Sequence, residues 1–251
     1  MRRFNLFLWF LPSLIGSPVF SFPVNKSTVL VCYGKLDATK IKGYNYVILE
    51  EKHFKKEEIT IIKKNNKNVL AYISLGEVNS NAAHYNLLKD NTLGKNDNWN
   101  SHYLDLKSDK TIIVLMRLIK KNLDKGFDGL FLDNIDNYSS FGPQKNQRKE
   151  LIELIKKIKK QYPNHLLIQN SGAELIEDTN KSVDAILFES VATNFSFKEN
   201  VYKLREIKDY TAYLDRLKAI HSKYKLPVIL VEYADNQKLY TEVIKRLAST
   251  N

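Results

Sequence analysis

The run GFDGLFLDNIDNY, Gly126 to Tyr138, decides the fold. It opens on Gly126, where the amphipathic stretch 109–125 must stop as a helix. It continues as an uninterrupted apolar segment, GLFLDN (129–134), closed by Asp133 and Asn134. A strand with one wet face alternates polar and apolar residues. A continuous apolar run needs cover on both faces, as the strands of a parallel sheet have.

Six further runs read the same way: STVLVCY (27–33), YNYVILE (44–50), NVLAYISLGE (68–77), LLIQN (166–170), DAILFE (184–189) and PVILVEY (227–233). Helical patterns at 55–65, 109–125, 144–161, 203–224 and 236–248 lie between them, and Gly126 and Pro163-Asn164 sit where helices end. Strand–helix alternation of this kind specifies an α/β fold with a parallel sheet. No glycine-rich phosphate loop follows the first strand, where Tyr33-Gly34-Lys35 stands, so a dinucleotide fold is disfavoured. One strand after another ends in Glu77, Asp133 and Asn134, Asn170, Glu189 or Glu232. In a (β/α)8 TIM barrel such ends ring one mouth, where the chemistry is done. The expectation is therefore a TIM barrel with seven clear strands, an eighth being absent or hidden in an irregular segment. Residues 78–108 read as a long connection carrying Trp99 and Tyr103, of the kind that often binds ligands.

The 251 residues suffice for one such barrel, and 43% hydrophobic with 27% charged residues is globular composition rather than disorder. Arg2 and Arg3 precede the uncharged stretch 4–24, with the apolar run LFLWFLPSLIG inside it. This reads as a signal peptide over residues 1–21, cut near Phe22, and gives a secreted or periplasmic barrel domain over 22–251. An uncleaved membrane anchor is the rival reading and the one route to a membrane. Losing residues 1–21 removes two arginines and no acid, which takes the net charge from +11 to +9. The lysines fall in helices such as IELIKKIKKQY, so the charge reads as solvated outer faces, and export argues against nucleic acid as a partner. Cys32, the single cysteine, excludes an intramolecular disulfide and reads as a small buried hydrophobe. A monomer is expected.

Asp133 and Glu189 are the leading chemical candidates. A carboxylate closing an apolar run is costly to bury unless it is hydrogen-bonded or functional. Asp133 shares its place with Asp136, and capping of the next helix is the bland alternative for either. Glu is a poor cap, so for Glu189 the bland alternative is an ion pair. Two carboxyl groups flanking a glycosidic bond suffice for its hydrolysis, one giving a proton and the other acting as nucleophile or activating water. Tyr33, Tyr72, Glu77, Trp99, Asn134, Asn170, Glu232 and Tyr233 are candidate substrate contacts, the rings to stack on sugar faces and the polar groups to bind hydroxyls. The five histidines lack paired metal-ligand spacing, and no metal or other cofactor is expected. A carboxylate-only Mg²⁺ or Ca²⁺ site from Asp133, Asp136 and Glu189 is the weaker alternative.

The pieces VLAYISLGEVNS, GFDGLFLDNIDNY, LLIQNSGAEL, DAILFESV and PVILVEYAD, in this order, resemble glycoside hydrolase family 114, the endo-α-1,4-polygalactosaminidase-like barrels. The resemblance spans most of residues 28–235. It implies a TIM barrel and endo-cleavage of a galactosamine-containing polysaccharide, with an acid after the fourth strand and a Glu after the sixth, here Asp133 and Glu189. A polymer with free amines is cationic and suits a mouth rich in acids. A non-catalytic polysaccharide-binding barrel of the cell envelope is the competing function, and a different carboxylate-dependent hydrolase of an envelope polymer a third.

Overall fold

The computed structural model describes residues 7–9, 28–196 and 198–248. In chain order the elements are β1 (Phe7–Trp9), β2 (Val29–Cys32), β3 (Tyr46–Leu49), α1 (Lys56–Lys64), β4 (Asn68–Ser74), β5 (Glu77–Asn79), α2 (Tyr85–Leu88), β6 (Thr92–Asn96), β7 (Ser101–Leu104), α3 (Asp109–Asp124), β8 (Gly129–Asp133), α4 (Arg148–Gln161), β9 (Leu166–Asn170), α5 (Ile176–Thr179), β10 (Ala185–Glu189), β11 (Thr193–Ser196), β12 (Val201–Leu204), α6 (Ile207–Tyr224), β13 (Val228–Val231) and α7 (Gln237–Ala248). Apart from the backbone of β1, which pairs antiparallel with β13, the expected signal segment 1–21 lies outside the described residues. No described helix is long and apolar enough to cross a membrane.

Two compact units divide the chain. One is Val31–Asp184 and the other is Ala185–Asn251 with the residues before 31. In the first, β3, β4, β8 and β9 lie parallel in that order, and Glu50 N donates to Cys32 O at the end of β2 (3.3 Å). The helices between them bury one stripe each: Ile59 and Ile62 of α1, Val114, Leu115 and Ile119 of α3, Leu151, Leu154, Ile155 and Ile158 of α4. Helix α3 starts where Ser108 caps Thr111 N and stops before Gly126, whose φ of +103° no side chain favours. Along β8 the apolar run is buried as its pattern requires, with Leu130, Phe131 and Leu132 at 0–1% exposure. Burial of that order contributes about 1.5–3 kcal/mol per large side chain. Gly129 admits the close approach of β9, since a Cβ there would lie 2.0 Å from Leu166 O.

Acids stand at both ends of these strands and do different work. Asp128, before β8, accepts from Val69 N (2.8 Å) and pairs with Lys63. Asp184, before β10, accepts from Leu167 N (2.8 Å) and pairs with Lys159. Both lock strand starts, which is the stability end of parallel α/β architecture.

Cys32, read as buried, is half-buried with its thiol donating to Gly34 O (3.1 Å), and the elements depart from the sequence expectation in three places. The strand read as 68–77 stops at Ser74. The connection read over 78–108 is instead built from α2 and a three-stranded antiparallel sheet, β5–β7–β6, which Glu77 opens. Its strands are short and only partly buried, so no continuous buried apolar run marks them. Helix α6 begins at Ile207 rather than 203, because 201–204 pair with 193–196 as the hairpin β11–β12. In that second unit β10 and β13 run parallel, with Glu189 in register with Val231.

Candidate active site

Asp133 ends β8 in register with Ser74 of β4. It is half-buried, and each of its oxygens accepts one hydrogen bond from a neighbouring strand. Tyr72 Oη donates to Oδ2 (2.7 Å) and Asn170 Nδ2 to Oδ1 (2.8 Å). Burial, and next the Asp133 charge, push the Tyr72 hydroxyl well above its ordinary range, so it stays a donor. Tyr33, half exposed, meets the Tyr72 ring edge-on with centroids 5.2 Å apart.

The chain turns sharply after Asp133. Asn134 is left-handed (φ +60°, ψ +30°) and its Oδ1 accepts from Ser74 Oγ (2.5 Å), which in turn accepts from Glu77 N (2.9 Å). Gly76 permits this, because a Cβ there would lie 2.7 Å from Asn134 Cβ and 2.9 Å from its carbonyl oxygen. A 3₁₀ turn, Ile135–Tyr138, then carries Asp136. Desolvation by the surrounding protein raises the Asp136 carboxyl above its ordinary value, and the charges of Asp133 and Glu77 add to the rise. The side chain keeps access to solvent, which moderates that rise.

Glu77 and Asn170 are buried, at 9% and 8% exposure. The Glu77 carboxylate accepts from Ser101 Oγ, Asn96 Nδ2 (3.2 Å) and Asn137 Nδ2 (2.9 Å). Expected as a sugar contact, it lies beneath the surface and ties the three-stranded sheet to the turn that bears Asp136. Trp99 is 71% exposed in the turn between β6 and β7, which Asn79 holds through the Trp99 carbonyl (2.9 Å).

In the second unit Glu189 ends β10 after four buried residues. Tyr233 Oη donates to its Oε2, and the Tyr233 ring stacks on Tyr202 (5.2 Å, 21°). Ser190, next in the chain, is left-handed (φ +55°). Glu232, expected as a sugar contact, accepts from Ala192 N (2.7 Å), Thr193 N (3.0 Å) and Thr193 Oγ1 (2.8 Å). Burial raises its carboxyl, and these bonds oppose the rise. Sequence reasoning missed Asn96, Ser101, Tyr202 and Arg205. Polar residues at sheet rims carry no periodic signal, and their partners lie 12–31 residues away. Among the described residues no three His, Cys, Asp or Glu side chains gather as a metal ion would require.

The glycoside hydrolase domain of PelA from Pseudomonas aeruginosa has the same fold, with a TM-score of 0.72 at 23% identity over 80% of this chain and 82% of that one. Ega3 of Aspergillus fumigatus, solved in complex with galactosamine, matches with a TM-score of 0.63 at 19% identity over 84% of this chain and 77% of that one. No curated protein matches the chain. The fold is thus the expected incomplete (β/α)8 barrel of TIM type, shared with the glycoside hydrolase domain of PelA. The chain belongs to glycoside-hydrolase family GH114, which matches residues 21–251.

Proposed function

We propose that this chain is an exported endo-acting hydrolase of a galactosamine-containing polysaccharide, with Asp133 and Glu189 as its two catalytic carboxyl groups. The observation that carries the reading is a shared construction. Each closes a buried parallel strand, each is followed by a left-handed residue, and each accepts a tyrosine hydroxyl. Both Asp133 oxygens accept hydrogen bonds, the arrangement of a fixed carboxylate, which suits the nucleophile or the base that activates water. Glu189 then gives the proton to the leaving oxygen.

The substrate class draws on Ega3, whose complex holds galactosamine, and on local charge. Asp136 feels the negative charges of Asp133 and Glu77. Free amines of a partly de-N-acetylated polymer would be favoured there although the whole chain carries +11. Asp136, Tyr33, Tyr72, Asn134, Asn170, Trp99 and Tyr233 are the proposed substrate contacts. Export rests on the leader-like segment 1–21, and Edman sequencing of the protein recovered from outside the cell should begin near Phe22.

The decisive experiment incubates the purified protein with de-N-acetylated α-1,4-galactosamine polymer and follows new reducing ends and chain length. Mid-chain cleavage that Asp133→Asn and Glu189→Gln each abolish, with melting temperature kept, is the expected result. Full activity in both variants would overturn the site. Saturable binding with no product would turn the reading to a non-catalytic polysaccharide binder.

A further inference from the structure

The backbone of residues 190–193, directly after Glu189, is gripped from two sides by opposite charges. On the amide side, Glu232 accepts from Ala192 N, Thr193 N and Thr193 Oγ1 (2.7–3.0 Å). On the carbonyl side, Arg205 donates Nη2 to Ser190 O (2.9 Å) and Thr193 O (3.3 Å), and Nε to Val191 O (3.2 Å). Its own backbone N–H reaches Ala192 O (2.9 Å).

The Arg205 grip is itself anchored. Arg246 Nη1 donates to Arg205 O and lies over the Tyr210 ring (5.2 Å). The Arg205 guanidinium lies 5.6 Å from the Tyr213 ring centre, and Tyr213 meets Phe188 edge-on at 6.1 Å. Phe188 is the residue before Glu189, so the anchoring closes on the strand end from which it starts.

We propose that Glu232 and Arg205 are positioning residues for Glu189, a two-sided clamp that fixes the left-handed Ser190 and the loop 190–193 and thereby the direction of the Glu189 carboxyl group. The inference rests on the reading of Glu189 as the proton donor. A carboxyl group at a strand end is only as well aimed as the φ and ψ that follow it, and Ser190 holds φ at +55°, which residues other than glycine avoid. Desolvating a glutamate and an arginine to serve neutral peptide groups is an expensive way to stabilise a fold, which apolar packing would do as well. It is an effective way to fix a backbone, because charge-assisted bonds are short and directional.

The test uses the full chain and four variants: Glu232→Gln, Arg205→Lys, Thr193→Val and Glu189→Gln. Two quantities are read, the kcat and KM for release of reducing ends from a de-N-acetylated α-1,4-galactosamine oligomer, and the hydrogen exchange of the amides of residues 190–193. In Glu232→Gln an amide NH₂ must face a backbone N–H, and in Arg205→Lys a single nitrogen replaces the Nε–Nη2 fork. Both should lower kcat about 10–100-fold with KM within about twofold, since aim is lost and not binding. Ala192 and Thr193 should exchange faster in Glu232→Gln.

Thr193→Val removes one leg of the clamp at constant volume and should give a smaller fall in kcat with the fold intact. It keeps the test open should Glu232→Gln unfold. Wild-type kcat in Arg205→Lys and Thr193→Val beside an inactive Glu189→Gln would overturn the clamp, as would unchanged exchange in Glu232→Gln. Wild-type turnover in Glu189→Gln would instead sink the assignment of Glu189. The two failures are told apart because exchange at 190–193 does not depend on turnover.

Discussion

The hydroxyl of Tyr72 donates to Asp133 Oδ2 across adjacent parallel strands at 2.7 Å, although Tyr72 is in register with Phe131, not with Asp133. The bond is diagonal. Tyr72 and Ser74 share one face of β4, and the phenol is long enough to reach one pair further along. Its ring lies 6.3 Å from that of Phe131 and 5.2 Å from that of Tyr33, so packing holds it in place without the hydroxyl. Tyr72→Phe therefore isolates the bond. A hydrogen bond to a charged group contributes about 1.5–3 kcal/mol. If that aims Asp133, kcat/KM on the galactosamine polymer should fall about 10–100-fold with little change in melting temperature. Unchanged kinetics would show that Asn170 alone suffices to orient it.

Asp136 gives a prediction of sign. Its carboxyl is raised above the ordinary value of 3.8 by desolvation first and then by the charges of Asp133 and Glu77. A carboxyl raised on folding binds more protons in the native state, so stability falls as pH rises through the interval above 3.8 and stays lower beyond it. Asp136→Asn should accordingly raise the melting temperature at pH 7. The gain should shrink as pH falls and vanish below about 3.8, where both states of the native residue are protonated. Solvent access at Asp136 keeps the effect small. Melting curves from pH 3 to 7 test it, and a gain that grew toward acid would reverse the assignment.

Most of the barrel was legible because burial on both faces leaves continuous apolar runs. LLIQN and DAILFE became strands within one residue of their reading. Asp133 and Glu189 stood out because each interrupts such a run at its end. What stayed hidden is partner choice. Glu77 and Glu232 looked like mouth acids for the same reason as Asp133. Their carboxylates are spent on Ser101 and Asn137 in one case and on Ala192 and Thr193 in the other. Those contacts depend on a three-stranded sheet and a hairpin whose short, partly buried strands leave no pattern. Side-chain hydrogen bonds between residues 24 to 60 positions apart have no local signature.

Glu77 should behave as a structural acid. In Glu77→Gln the carboxylate that now accepts from Ser101, Asn96 and Asn137 gains an NH₂ that must face one of these donors. Leaving a buried polar group unsatisfied costs about 1–3 kcal/mol. Urea unfolding should show a loss of that size, and kcat/KM should fall less than in Asp133→Asn. A variant as stable as the native chain but inactive would place Glu77 in the chemistry.

Trp99 is an exposed ring that can report on substrate. It stands 71% exposed in a tight turn that Asn79 braces through the Trp99 carbonyl, so the indole presents its faces to water at small entropic cost on binding. The chain has two tryptophans, and Trp9 lies in the leader-like segment 1–21, so in the protein that begins near Phe22 the emission comes from Trp99 alone. If the sheet β5–β7–β6 forms a binding rim, adding galactosamine oligomers should quench and shift that emission saturably. Trp99→Ala should raise KM for long oligomers several-fold, leaving kcat and the KM for the shortest cleaved oligomer unchanged. Stacking of a ring contributes about 1 kcal/mol, which matches a change of that size. An emission spectrum indifferent to every oligomer length would remove Trp99 from the substrate path and leave the rim without its leading contact.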